Sequence, residues 1–429
     1  IIRGHEARSD VFVDGLRDPG MTTRESFAAE QIEITKGPSS TFAGRGSSGG
    51  AVNSITKKAS TAYDFGRVDA SVGNDEYKRL VLDYNKPLTE NVAARVNILL
   101  AQEDAPNRDG IERSRNGLLV SGLYDNTNDL RVFTDFYYLE ADDTPDLGSY
   151  FDQATRSPVE GIAVYAQQED FLNSEVMAFT VRTEYEFSDE FTFHNATRFG
   201  TTENGYLSTG ARGNVRAEED PIAPNVASIG LSTHQGWQDI EYLASQFNFV
   251  WDVTTGGIEH NLVFGIELTD EEVINGVYNI TYNNASNCTT SGRRGLSEGY
   301  CLLDGAGEIY ANPTQIIGRS VEVGDQDSMF TAQTISTYVM DTATINQDWQ
   351  VFFGLRVDSI DYGNDVVSQG TALDYSFNDN FYNGHLGLVY SVSEHGNIYA
   401  NYATATNING GESDLGASCG YGGLCGDPD

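Results

Sequence analysis

The chain of 429 residues has no run of about eighteen apolar residues, which excludes a membrane-spanning helix. That absence leaves a membrane β-barrel untouched, because strands cross with only about ten residues of alternating character. Positive charge is scarce: 26 Lys and Arg stand against 63 Asp and Glu, a net charge of −37. Nucleic acid is therefore not expected as a partner, since phosphate binding needs clustered cations. The six histidines, His5, His194, His234, His260, His385 and His395, form no HxxxH or His–carboxylate grouping, so no metal centre built by the protein is expected. No Ser/His/Asp order sits in a nucleophile elbow and no carboxylate pair has an apolar setting, so the chain is not expected to be an enzyme. The chain opens at Ile1 inside a structured motif, without an initiator Met or leader, and closes in a Gly-rich tail; it reads as a fragment missing both ends.

Cysteine is also sparse, and its placement is informative. The four residues fall into two local pairs, Cys288 with Cys301 and Cys419 with Cys425, in polar Gly/Asn/Ser-rich sequence. Two local disulfides are expected, and with them an oxidising compartment such as the periplasm or cell surface. A zinc site would need tighter CxxC spacing and nearby His.

From about Tyr63 the sequence becomes a series of period-two segments. Ala94, Val96, Ile98 and Leu100 oppose Arg95 and Asn97; Leu130, Val132, Phe136 and Tyr138 oppose Arg131 and Asp135; Phe179, Val181, Tyr185 and Phe187 oppose Arg182, Glu184 and Glu186. Phe247, Phe249 and Trp251, and later Val351, Phe353, Leu355 and Val357, repeat the pattern against Asn248, Arg356 and Asp358. Short turns near Pro87, Asn128, Asp189, Gly256, Gln347 and His395 alternate with long connections over roughly 104–116, 142–174, 203–240, 270–328 and 363–380. A soluble sandwich would not sort its connections so cleanly into two classes. The pattern predicts an all-β transmembrane antiparallel barrel of about thirteen strands, apolar face outward to lipid, short turns periplasmic and long loops outside the cell. Aromatics at segment ends (Tyr137, Tyr138, Phe151, Tyr242, Tyr338, Tyr382, Tyr399, Tyr402) read either as an interfacial girdle or as ordinary strand preference. The acidic groups Asp142–Asp143 with Asp146, and Glu218–Glu219–Asp220, read as calcium ligands or as solvated loop faces.

The first sixty residues carry the most specific signal. Gly44–Arg45–Gly46–Ser47–Ser48–Gly49 matches GxGxxG formally, but the strand-like AVNSITKK follows where a dinucleotide site needs a helix, and no Lys-Ser/Thr completes a phosphate loop. Instead FVDGL, IEITKGPSSTFAGRG and GGAVNSITKK occur in the order and spacing that close the plug of a TonB-dependent receptor, and the chain resembles that family. GNIYANYATATN at 396–407 is similar, more weakly, to a strand-to-loop step of siderophore receptors.

The resemblance implies a 22-stranded barrel of which about 13 strands are present, with the C-terminal part of the plug at 1–60 and the N-terminal part of the barrel at 61–429. It implies TonB-dependent uptake of an Fe(III)–siderophore across the outer membrane, powered by the TonB–ExbB–ExbD complex, whose contact motif lies outside this sequence. Cobalamin, haem or glycan uptake is the alternative within the family; a passive porin would lack the plug motif. In such receptors a loop starting at Asp14–Gly15–Leu16 rises to the plug apex, which makes Arg17, Asp18, Met21, Thr22, Arg24 and Phe27 candidates for ligand contact. Arg17 and Arg24 suit an anionic chelate through guanidinium contacts, or they are loop arginines paired with Asp18 and Glu25. Lys36 and Arg45 occupy positions where the family pairs plug cations with glutamates of the inner wall; a solvated role is the alternative.

Overall fold

The computed structural model describes residues 11–19, 23–44, 49–148, 151–152, 155–158, 163–292, 295–368 and 370–406. Met21, Thr22, Arg45, Cys419 and Cys425 lie outside them.

A small sheet comes first: β1 (Val11–Val13), β2 (Leu16–Arg17), β3 (Ala29–Lys36) and β4 (Gly50–Thr56), in the order β2-β1-β4-β3. Asp14 and Gly15, both at positive φ, turn β1 into β2; glycine takes that conformation without a Cβ clash. The turn is tied down because the Gly15 amide donates to Asn53 Oδ1 and the Thr56 amide to Asp14 Oδ1, each at 2.9 Å. A short helix, α1 (Ser40–Ala43), bridges β3 and β4.

The wall follows as β5 (Phe65–Val72), β6 (Lys78–Pro87), β7 (Val92–Asp104), β8 (Glu112–Asp125) and β9 (Leu130–Asp143). After the two-residue strands β10 (Phe151–Asp152) and β11 (Ser157–Pro158) it continues with β12 (Phe171–Ser188), β13 (Phe191–Val215), β14 (Ala227–Thr255) and β15 (Ile258–Tyr282). A loop hairpin, β16 (Cys288–Gly292) and β17 (Gly295–Cys301), precedes β18 (Arg319–Thr344), β19 (Trp349–Ser368), β20 (Thr371–Ser393) and β21 (Gly396–Ala403). Thirteen of these form one antiparallel path, β21-β20-β19-β18-β15-β14-β13-β12-β9-β8-β7-β6-β5, the number expected from the alternation. Among the described residues β5 and β21 are its two edges.

The wall is polar inside and apolar outside. Arg95 and Arg356 are 5% and 2% exposed, whereas Phe136, Phe353 and Leu355 on the opposite face are 41%, 42% and 51% exposed. Such a face is stable in lipid, not in water. Near the short turns Phe187, Phe191, Phe249 and Phe264 stack in series with centroids 5.2, 5.9 and 5.4 Å apart.

Three expectations need correction. The long connections are largely strand: β14 alone runs 29 residues, roughly 95 Å at the usual rise per residue, about three times the hydrocarbon thickness. The ladders of β13–β14 and β19–β20 therefore continue through most of 203–240 and 363–380. Tyr137, Tyr242 and Tyr338 point inward rather than joining a girdle: Tyr137 stacks on Phe27, Tyr242 reaches Asp18 and Tyr338 lies under Arg356. The inner face is also not uniformly polar. Leu99, Leu119, Leu139 and Val176 form one apolar socket, and Ile240, Tyr242, Val273, Phe330, Ile360 and Tyr362 another.

Those sockets seat the small sheet. Leu16 fills the second and Phe27 the first. Gly117 makes the first possible, since a Cβ there would lie 2.6 Å from Phe27 Cε1.

Candidate functional site

Charge follows shape at this seam. Asp14, in the β1–β2 turn, faces two wall arginines: Arg182 Nη1 donates to Asp14 Oδ2 at 2.6 Å and Arg198 Nη2 lies 3.6 Å away. Arg182 also donates to Asp135, and Arg198 Nε donates to Thr180 Oγ1 at 2.8 Å. All three charged groups are buried, so each depends on the others for compensation.

Further along β19, Arg356 bonds Asp358 at 2.6 Å, Ser336 at 2.8 Å and Glu267 at 3.0 Å. Gly44, at φ 75°, passes directly over it: an added Cβ would meet Arg356 Nη2 at 2.9 Å. At the other side Lys57 Nζ sits 3.0 Å from Asp83, which also takes two bonds from Arg95, both 2.8 Å. Arg95 reaches Glu30 at 3.2 Å and the Lys58 carbonyl at 3.1 Å, closing the seam where the small sheet leads into the wall.

At the long-connection end lies a cleft of about 330 Å³. Its cations are Arg79, Arg113 and Arg115, and its anions Glu25, Glu103 and Asp143. Glu25 accepts from Arg79 at 2.9 Å and lies 3.8 Å from Arg115; Arg115 is held by Asp143 through two bonds of 2.5 and 2.8 Å.

Residues 110–424 match the family model described as TonB dependent receptor-like, beta-barrel, and residues 1–51 match the TonB-dependent Receptor Plug Domain. The chain belongs to the TonB-dependent receptor family. It is 30% identical over 98% of its length to the probable TonB-dependent siderophore receptor PiuA of Acinetobacter baumannii, covering 56% of that protein. It is 25% identical to the catecholate siderophore receptor Fiu of Escherichia coli K12, covering 98% of this chain and 57% of Fiu. The crystal structure of PiuA superposes with a TM-score of 0.81 at 25% identity over 97% of this chain and 60% of that one. Fiu in its closed form gives 0.81 at 23% identity, over 96% of this chain and 60% of that one, a likeness of fold. The chain thus spans a little over half the length of the curated relatives it matches. Receptors of this family are outer-membrane β-barrels, and the apolar outer face fits that setting.

The structure brings together few of the apex candidates. Arg17 is buried over the Phe12 ring, 5.2 Å from its centroid. Asp18 is buried too, accepting from Arg24 Nε at 2.8 Å and facing the Tyr242 hydroxyl at 3.4 Å. Phe27, 3% exposed, anchors the plug to the wall and offers no face to a ligand. Arg24 alone of the described candidates keeps a third of its side chain exposed. The pairing alternative thus holds for Arg24 with Asp18, whereas Glu25 turns to the wall.

Of the two residues expected to pair plug with barrel, Arg45 lies outside the described residues, and the described ion pairs across the seam do not include Lys36. Lys36 is exposed at the end of β3 and has no ion pair to a described carboxylate. The seam uses Lys57 toward a wall carboxylate and, with the opposite polarity, Asp14 toward wall arginines. The KK pair closing the ITKK motif carried a signal for Lys57; nothing local marked Asp14, whose partners lie 168 and 184 positions away, counted from residue numbers.

In the outer loops Cys288 and Cys301 form a disulfide with Cα atoms 5.9 Å apart, at the ends of the β16–β17 hairpin rather than in irregular chain. Beside it Asp220 accepts the amides of Ile222, Ala223 and Thr289 at 2.9, 2.8 and 2.7 Å and pairs with Arg216 at 3.1 Å. Burial pushes this carboxyl up, but the three amides and Arg216 outweigh it and hold the group at about 2. Asp220 is thus a structural carboxylate, neither a calcium ligand nor a solvated one. Asp143 and Asp146 are likewise taken up by Arg115 and Arg108.

Proposed function

We propose that the whole protein takes up a ferric siderophore across the outer membrane in a TonB-dependent cycle, with the TonB–ExbB–ExbD complex as its energy source. Residues 1–60 are then the end of the plug and 61–429 the first part of the barrel. The observation that carries this reading is a plug seated by Leu16, Phe27 and Asp14 inside a wall whose relatives over nearly the whole chain are named as siderophore receptors. The reading is of a receptor and transporter, not an enzyme.

Relatives at 24% identity are named as metal–pseudopaline receptors of Pseudomonas aeruginosa, which favours a metallophore with another metal as the second reading. Radio-iron uptake by cells expressing the full-length receptor, with and without TonB, tests the assignment. TonB-dependent iron accumulation from a catecholate chelate is expected; uptake of nickel or zinc chelates alone transfers the reading to the second class, and uptake indifferent to TonB defeats both.

A further inference from the structure

The arginine cleft is electrically balanced, and that balance constrains what can enter it. Arg79, Arg113 and Arg115 face Glu25, Glu103 and Asp143, three charges of each sign. Glu103 sits on β7 and pairs with Arg113 of β8 at 3.3 Å; Asp143 sits on β9 and grips Arg115 at two points. Both lie in strand ladders, each in register with Arg113 of β8. Glu25 differs. It belongs to the plug, lies in the irregular stretch just before the single turn Ser26–Ala28, and reaches across to Arg79 and Arg115. An anion entering while all three carboxylates stay leaves excess negative charge in a recessed site, where it is poorly screened. Glu25 is the carboxylate that can leave without breaking a strand pairing.

Its departure has a mechanical consequence. Two residues on, Phe27 fills the socket of Leu99, Leu119 and Leu139 beneath Gly117. The segment 23–29 is therefore held at one end by a charge pair and at the other by an apolar anchor.

We propose that this cleft is an anion subsite in which carboxylate or catecholate oxygens of a ferric chelate take the place of Glu25 at Arg79 and Arg115, so that ligand capture outside releases the plug segment leading to Phe27. The inference rests on the uptake reading above and adds to it the residue that ligand displaces. Glu25 is a built-in competitor: it keeps the plug segment docked in the empty receptor and gives it up on loading.

The test uses full-length receptor in detergent, with ferric dihydroxybenzoate and ferric citrate as probes and tryptophan fluorescence as the binding signal. Glu25→Gln removes the competitor and is expected to tighten binding about fivefold, the lower range of measured site couplings; Arg79→Gln weakens it. Hydrogen exchange on the unmodified receptor is expected to show residues 23–29 losing protection when probe is added, and Glu25→Gln showing that loss with no probe. Wild-type binding with Glu25→Gln unchanged or weaker, or with 23–29 gaining protection, overturns the competition and leaves the uptake reading standing. Failure of the wild type to bind either ferric probe overturns the siderophore reading and this inference with it.

Discussion

Two buried carboxylates, Asp14 and Asp220, are each held by arginine and by backbone amide, yet they serve different regions. Asp220 closes an outer-loop knot with Arg216, four residues away, beside a disulfide whose cysteines are 13 apart. Asp14 joins the plug to wall strands β12 and β13 far along the chain. The loop knot is confined to the outer loops and lies beside a covalent link, with no plug residue among its described partners. The plug seam is long-range and non-covalent, so it forms only when plug and wall are assembled. On the uptake reading proposed above, the permanent links lie in the loops and the exchangeable links at the seam.

The sharpest way to break this contrast is to remove Asp14. Asp14→Ala leaves Arg182 and Arg198 buried without their shared partner, and loss of one member of a buried ionic cluster costs about 3–5 kcal/mol. In the full-length receptor, exchange protection of 11–17 and 50–56 is expected to fall by that amount while the β16–β17 hairpin stays protected; equal loss in both places would mean that the regions are not independent.

Phe27→Ala is expected to loosen the same seam by about 3–5 kcal/mol through the cavity it leaves. Gly117→Ala alone forces its methyl against the Phe27 ring and costs about 1–3 kcal/mol. Made together, the new methyl occupies part of the void, so the double variant is expected to be less destabilised than the sum. Additive losses in thermal unfolding would show that the two do not share one socket.

In the outer loops, replacing Cys288 and Cys301 by Ser frees a short closed loop and is expected to weaken the hairpin by about 3 kcal/mol on chain-entropy grounds. Limited proteolysis should then cut near 288–301 with plug protection untouched.

The smallest effect concerns pH. Asp220 is held at about 2 against an ordinary 3.8, so the folded state favours its ionised form. Its contribution is fully present above about pH 4 and is lost as pH falls toward 2. Loop protection should be flat above that window and decline within it; in Asp220→Asn the decline should vanish, and a persisting decline would assign it to another group.

Legibility in the sequence tracks the same division. The alternation of Val96 with Arg95, or of Leu355 with Arg356, is a property of neighbouring residues, and it was enough for strand number, facing and the lipid-exposed surface. The Cys288–Cys301 pair was readable because both partners lie in one loop. The reach of β14 beyond the bilayer was not, because Gly/Asn/Ser-rich sequence that looks like loop becomes strand once a neighbour supplies the ladder.

The site fared worse for a physical reason. Arg17 and Phe27 have the composition of ligand contacts, yet Phe12 and the Leu99–Leu119–Leu139 socket bury them. Lys36 has the look of a seam cation, but Lys57 stands closer to an inward carboxylate. By itself the sequence determined period, strand count, family motif and the local cross-link, all set by residues within a few positions of each other. Which carboxylate faces which arginine across 168 positions, and whether an aromatic fills a socket or a vestibule, was decided only when the wall curved around the plug. Burial and charge pairing there depend on distance in space, which the order of residues does not contain.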